Sequence, residues 1–220
     1  MKRQKKITQY DYKKEGKQFE NYIRESDFRL KTDESIIVHL DGVGFTRKYY
    51  KHLSSENKKL VIKAIADSAL KICSEISSVR IAYAFCDEVS FVLDGEDIQA
   101  NEHNRMNKIM SKFTSMLTLY FYKALKTLAI PETNDLAENA VFSGKTYNLP
   151  SSYVEKYLKW RLLGCKKLIF DRKENFGAKE DWEKYGYIIS KQAEWNYKNV
   201  DFENKKIKKL PQNEFLQVED

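Results

Sequence analysis

The sequence predicts an α+β domain with the element order β-α-β-β-α-β, followed by a C-terminal extension. Three features carry this: two long segments of helical apolar spacing, short apolar strand runs around them, and Asp- or Gly-bearing turns where those runs stop. The order is that of the split βαβ, or ferredoxin-like, plan. A palm-like unit over residues 1–150, with a helical lead-in, and a packed extension over 151–220 are the expected divisions.

Residues 1–34 are polar and charged, with Phe19, Tyr22, Ile23 and Phe28 loosely on one helical face. Ser35 to Leu40 is rich in β-branched residues and stops at Asp41-Gly42, which reads as a buried strand. From Glu56 to Ile76, Leu60, Val61, Ile65, Ala69, Ile72 and Ile76 recur every three or four residues. That spacing predicts an amphipathic helix, with Ser54 or Ser55 as its cap. Val79–Phe85 and Val89–Leu93 read as a hairpin around Cys86-Asp87-Glu88, with a second turn at Asp94-Gly95.

A second helix is expected from about His103 to Leu128, ended by Pro131, and a strand from Ala140 to Leu149. After Pro150 the pattern gives a helix over Ser151–Cys165 and a charged loop from Asp171 to Lys184. A last hairpin would pair Tyr185–Lys191 with Lys206–Leu210.

The chain has 220 residues, enough to bury a sizeable core, and 42% of them are hydrophobic. Its 39 Lys and Arg exceed 32 Asp and Glu, for a net charge of +7, and 13% of residues are aromatic. A basic, aromatic-rich protein suits a polyanion that also stacks, which is nucleic acid before membrane. A Lys-rich solubilising surface gives the same balance, so charge alone does not decide.

Cys73, Cys86 and Cys165 are far apart and form no C-x-x-C pair, which points to a reducing, cytoplasmic setting without a thiolate zinc site. Met1–Lys6 is basic but runs into Ile7-Thr8-Gln9-Tyr10 without an apolar core, so neither signal peptide nor membrane span is expected.

The topology joins two acidic sites. In a split βαβ unit the third strand fills the gap between the first two and runs antiparallel to them. The end of the first strand, Asp41, therefore lies beside the start of the third, Asp87-Glu88. Taken singly, Asp-Gly and Asp-Glu are ordinary turn chemistry. Taken together, beside runs as apolar as Ile36–Leu40 and Phe91–Leu93, they put charge at the edge of a core, where it is costly. Facing carboxylates can share two Mg²⁺ ions about 3.5–4 Å apart, the geometry of phosphoryl transfer.

Other motifs fail. Gly144-Lys145-Thr146 has Asn139 where a phosphate loop needs its first glycine, and Gly42-Val43-Gly44 has Arg47 in place of a third. His39, His52 and His103 lack metal-ligand spacing.

Several stretches, in order, resemble the tRNA-His guanylyltransferase superfamily. His39-Leu40-Asp41-Gly42-Val43-Gly44-Phe45-Thr46-Arg47 is similar to its R-L-D-G-x-x-F-H-x-F signature, and Ile81–Val92 to I-A-Y-G-x-S-D-E-Y-S-F-V. Ser111-Lys112 falls on the family's S-K, Val141–Lys145 with Leu149-Pro150-Ser151 on F-D-G-R…Y-P-S, and Tyr157–Arg161 with Cys165 on Y-L-x-W-R-Q-A-D-C.

The resemblance implies a palm that adds nucleotides in the 3′-to-5′ direction to a tRNA 5′ end, after ATP or GTP activates the 5′-phosphate. Asp41, the Gly42 carbonyl and Asp87 would hold two Mg²⁺ ions, with Glu88 in support. Gly42, Val43, Gly44, Phe45 and Thr46 would cradle the triphosphate beside Cys86 and Asp87, and Lys112 would neutralise phosphate charge. Lys145, Arg161, Lys166 and Lys167 would grip the RNA, and a homo-oligomer, dimer or tetramer, is expected.

The departures matter too. Lys166-Lys167-Leu168-Ile169-Phe170 replaces the family's H-I-N-N-L-Y-N run, and His39, Thr46, Cys86 and Ser143 replace Arg, His, Ser and Asp. They point to a divergent Thg-like protein that repairs tRNA 5′ ends against a template, rather than to a strict tRNA-His enzyme. A nucleotidyl cyclase on the same palm and a non-catalytic RNA-binding protein are the competing readings.

Overall fold

The computed structural model describes residues 28–171, 186–190, 200–201 and 206–207, with the backbone alone at 99–102, 163–171 and the last two segments. The expected lead-in helix before Phe28 and the charged loop after Asp171 lie outside these residues.

Five strands form one sheet in the order β4-β1-β3-β2-β5: β1 Ser35–Gly42, β2 Val79–Phe85, β3 Glu88–Leu93, β4 Phe142–Leu149 and β5 Tyr187–Ser190. Every neighbouring pair is antiparallel. β1 and β2 therefore run the same way with β3 between them, as the split βαβ plan requires. Between them come the single turn α1 (Phe45–Lys48) and the long helix α2 (Ser55–Glu75). Ser54 caps α2, its hydroxyl accepting the Asn57 N–H at 3.1 Å.

Period-two alternation sends the strands' side chains into two cores. Ile36, Val38, Leu40, Ala82, Ala84, Val89, Phe91 and Leu93 pack with α2, with α4 (Met106–Leu128) and with the short α5 (Asn134–Asn139) on one face. Ile37, Ile81, Tyr83, Phe85 and Val92 pack on the other against Leu158 and Leu162 of α6 (Val154–Asp171) and Ile188 of β5. Covering both faces is why β1 reads as an unbroken apolar run, Ile36-Ile37-Val38, instead of an alternating one.

Four expectations need correction. Asp94-Gly95 does not turn the chain back but opens a helix, α3 (Gly95–Glu102): the Asp94 carboxylate accepts the Glu96 and Asp97 N–H groups at 3.0 and 3.3 Å. Gly95 fits because a Cβ there would lie 2.4 Å from the Thr32 carbonyl oxygen. The next helix starts at Met106 rather than His103, since His103 and Asn104 adopt φ of 53° and 55°, outside the helical region. It ends at Leu128, where Ala129 turns left-handed, so Pro131 opens the following 3₁₀ turn instead of stopping the helix.

The C-terminal hairpin also differs. Tyr187–Ser190 pairs with β2, while Lys206–Ile207 (β7) pairs with Val200–Asp201 (β6). The open edge of β2 offers unpaired backbone groups, and Ile188 gains a core position there.

After β1 the chain is anchored by one ring. Phe45 is fully buried, with ring centroids of Phe142, Tyr49, Phe121 and Tyr50 at 5.2, 5.5, 5.8 and 6.4 Å. Gly42 leaves the space for it, because a Cβ at 42 would sit 2.6 Å from the Phe45 ring. Phe45→Ala should therefore lower stability by about 3–5 kcal/mol, and Gly42→Ala by about 1–3, both read from urea unfolding midpoints. A Gly42→Ala midpoint equal to wild type would contradict the tight contact.

Candidate active site

The ladder between β1 and β3 brings the acidic residues together. Asp41 is the register partner of Glu88, and the Gly42 N–H donates to the Asp87 carbonyl at 2.8 Å. Cys86 and Asp87 form a two-residue turn between Phe85 and Glu88, with Cys86 at φ 54°. A positive φ at a residue other than glycine costs on the order of 1 kcal/mol and persists only where neighbours enforce it. Here the Tyr50 hydroxyl donates to the Cys86 carbonyl at 2.9 Å, and Gly42 holds the next carbonyl.

Asp41 and Glu88 emerge on the sheet face that carries α6. Arg161 of that helix is ion-paired with Glu88, both side chains being largely shielded at 16% and 20% exposure. Burial pushes the Glu88 carboxyl above its ordinary range; Arg161 opposes this, and the charges of Asp87 and Asp41 add to it. Asp41 is raised as well, by burial first, against Arg161 and the Gly42 N–H. Glu88 and Asp41 thus share one guanidinium, with Asp87 close enough to Glu88 to add its charge.

Beneath them lies a polar relay. His39 Nδ1 is 3.0 Å from the Ser90 hydroxyl, which is 2.8 Å from the Tyr157 hydroxyl of α6. Burial lowers the His39 pKa to about 4, helped by Arg161 and Lys145. Glu88 Oε2 lies 3.8 Å from His39 Nε2, but Arg161 already balances that charge and the ring stays neutral. Burial likewise raises the Tyr157 hydroxyl, so it acts as a hydrogen-bonding group only. Ser90 and Tyr157 lie in the family-like stretches but carried no predicted role, and Tyr50 lies outside them, because their contacts arise only from the sheet face and helix packing.

The other predicted residues are placed as follows. Lys145 is exposed and is the register partner of His39, on the same face as Asp41. Arg161 is drawn inward to Glu88. Val43, Gly44 and Thr46 are exposed, but the Gly42 and Val43 N–H groups are spent on Asp87 and Val141. Gly44, Phe45 and Thr46, leading into α1, keep N–H groups outside the sheet ladder. Lys112 is exposed on α4, whose core packs on the opposite sheet face. Lys166 and Lys167 lie in α6 beyond the described side chains.

Among the described residues no three His, Cys, Asp or Glu side chains cluster closely enough to form a closed metal cage. Mg²⁺ binds one or two carboxylates and completes its shell with water and substrate phosphate. The donors on offer, Asp41, Asp87 and the Gly42 carbonyl, are all oxygen, and burial is what raises the Asp41 and Glu88 carboxyls beside them.

A family profile described as tRNAHis guanylyltransferase (Thg1) matches residues 13–150, more than half of the chain. The chain belongs to this family. It is 28% identical over 132 residues to a tRNA(His) guanylyltransferase of Neurospora crassa, covering 59% of this chain and 44% of that one. A probable tRNA(His) guanylyltransferase of Homo sapiens is 27% identical over 134 residues, covering 59% and 43%. The chain thus spans less than half the length of the curated relatives it matches.

The fold matches solved Thg1-family structures. A bacterial tRNA(His) guanylyltransferase (Thg1)-like protein in complex with GTP superposes with a TM-score of 0.63 at 22% identity, covering 80% of this chain and 84% of that one. The Saccharomyces cerevisiae tRNA(His) guanylyltransferase gives 0.64 at 19%, covering 83% and 97%. Among the described residues no helix is long and apolar enough to cross a membrane.

The neutral His39 makes stability pH-dependent. Its folded pKa, about 4, lies below the unfolded 6.5, so the unfolded chain takes the proton first. The contribution is whole above pH 6.5 and is lost as pH falls toward 4, amounting to at most ~3 kcal/mol. His39→Gln should remove that slope. The check is the difference between wild-type and variant urea midpoints from pH 7 to pH 4; a constant difference would refute a buried neutral imidazole.

Proposed function

We propose that this protein is a nucleotidyltransferase that adds nucleotides in the 3′-to-5′ direction to the 5′ end of a tRNA or tRNA-like RNA, as template-dependent end repair. The observation that carries this reading is the β1–β3 register, which sets Asp41 beside Glu88 and ties Gly42 to Asp87 within a Thg1-family fold. Relatives named tRNA(His) guanylyltransferases, and bacterial Thg1-like neighbours in complex with GTP and with ATP, support the reaction class and the nucleotide.

In this chemistry the RNA 5′-phosphate first displaces pyrophosphate from ATP or GTP. The 3′-hydroxyl of an incoming nucleotide then attacks that activated phosphate and releases the nucleoside monophosphate. Asp41, the Gly42 carbonyl and Asp87 would hold Mg²⁺, which when bound supplies charge neutralisation at the phosphates. Glu88, held by Arg161, buttresses the turn that aims Asp87. The Gly44, Phe45 and Thr46 amides, with Lys112, would meet the triphosphate, while Lys145 beside His39 would offer a cation to the RNA backbone. Lys166 and Lys167 would extend that grip along α6. A cytoplasmic homo-oligomer fits this role.

Loss of the H-I-N-N-L-Y-N run after Cys165 favours repair of varied 5′ ends over strict tRNA-His addition. The assay is extension of a 5′-monophosphorylated, truncated tRNA with ATP, Mg²⁺ and all four nucleotides. Wild type should lengthen it by the templated bases, and Asp87→Ala should slow this at least ~100-fold. Extension limited to a single guanylate on full-length tRNA-His would restore the narrower activity. Turnover of nucleotide without RNA would identify a cyclase instead.

A further inference from the structure

We propose that Tyr153, Lys156 and Trp160, at the start of α6, form a stacking surface for unpaired RNA bases beside the acidic site. Helix α6 turns Leu158 and Leu162 into the sheet and should turn polar residues outward. Instead Tyr153 is 52% and Trp160 62% exposed. Tyr153 ends the 3₁₀ turn that leads into α6, and Trp160 lies on the second turn of the helix itself.

Each ring already has a cation against it. The Lys156 ammonium is 4.8 Å from the Tyr153 ring centroid, and the Arg161 guanidinium is 5.0 Å from that of Trp160. Exposed aromatics paired with cations suit a ligand that offers flat π-faces and negative charge together, which is single-stranded nucleic acid. Charge agrees: from Tyr153 to Arg161, Glu155 faces Lys156, Lys159 and Arg161.

Position ties the surface to the site. Arg161 contacts Trp160 and is also the ion-pair partner of Glu88. The Tyr157 ring, 6.1 Å from that of Trp160, continues to Tyr147 at 6.5 Å, back on the sheet. A base stacked on Trp160 would therefore sit next to the carboxylates that act on the RNA end. This inference rests on the RNA reading of that site.

The test uses the full chain without nucleotide and in EDTA, so that binding is read apart from catalysis. Fluorescence anisotropy would compare a labelled RNA hairpin with an unpaired end against the same hairpin made blunt. Trp160→Ala should weaken binding of the first about 5- to 100-fold and spare the second, with Trp160→Phe keeping most of the affinity. Tyr153→Ala, farther from the buried network, should lose several-fold with an unchanged melting curve.

Equal loss on both RNAs, or no loss on either, would overturn the stacking surface. So would a Trp160→Ala protein with an altered sedimentation coefficient and unaltered RNA affinity, because a second copy would then cover the patch. Asp87→Ala should bind the unpaired end as wild type does. A wild-type protein that binds it through Trp160 yet never extends RNA would refute the repair reaction and leave this surface standing.

Discussion

One backbone hydrogen bond, from the Gly42 N–H to the Asp87 carbonyl, fixes most of what matters in this molecule. It joins the end of β1 to the turn before β3, strands far apart in sequence, and it holds the turn in a conformation that Cys86 does not favour. Because antiparallel partners project to the same side, that bond and the Asp41–Glu88 register leave no choice about where those two carboxylates point. Phe45 secures the other half. Once its ring is locked among Tyr49, Tyr50, Phe121 and Phe142, the loop after Gly42 cannot drift from the acidic turn.

Concentrating carboxylates has an electrostatic cost, and the chain meets it in two ways. Arg161 neutralises Glu88 at close range, where shielding from water strengthens the attraction. Asp41 remains exposed, with its pKa raised, open to a cation from outside. His39, where the family carries Arg, stays neutral because it is buried, helped by Arg161 and Lys145, and spends its polarity on Ser90. Arg161, expected at the RNA, is turned inward and ion-paired with Glu88.

Much of the palm was legible because its signals are local. Helix α2 announced itself through apolar spacing and a serine cap, and the β2–β3 hairpin through two apolar runs flanking Cys86-Asp87. The misreadings lie where one local pattern serves two structures. Asp-Gly marks a hairpin turn as readily as a helix start, and at Asp94-Gly95 the carboxylate found two helix N–H groups to cap. Tyr187–Ser190 was recognisable as a strand, but its partner was not, because pairing depends on which sheet edge is free.

From the sequence alone came the order of elements, the two acidic ends and the family they resemble, since periodicity, turn residues and motif spelling are written along the chain. Only tertiary structure decided that α6 closes the second face of the sheet, that Arg161 turns inward to Glu88, and that Ser90 and Tyr157 support His39. It also decided that Trp160 stays in solvent. The reason is physical. A side chain's partner across a sheet or beneath a helix is set by register and packing angle, and neither quantity is encoded in the residues near it in sequence.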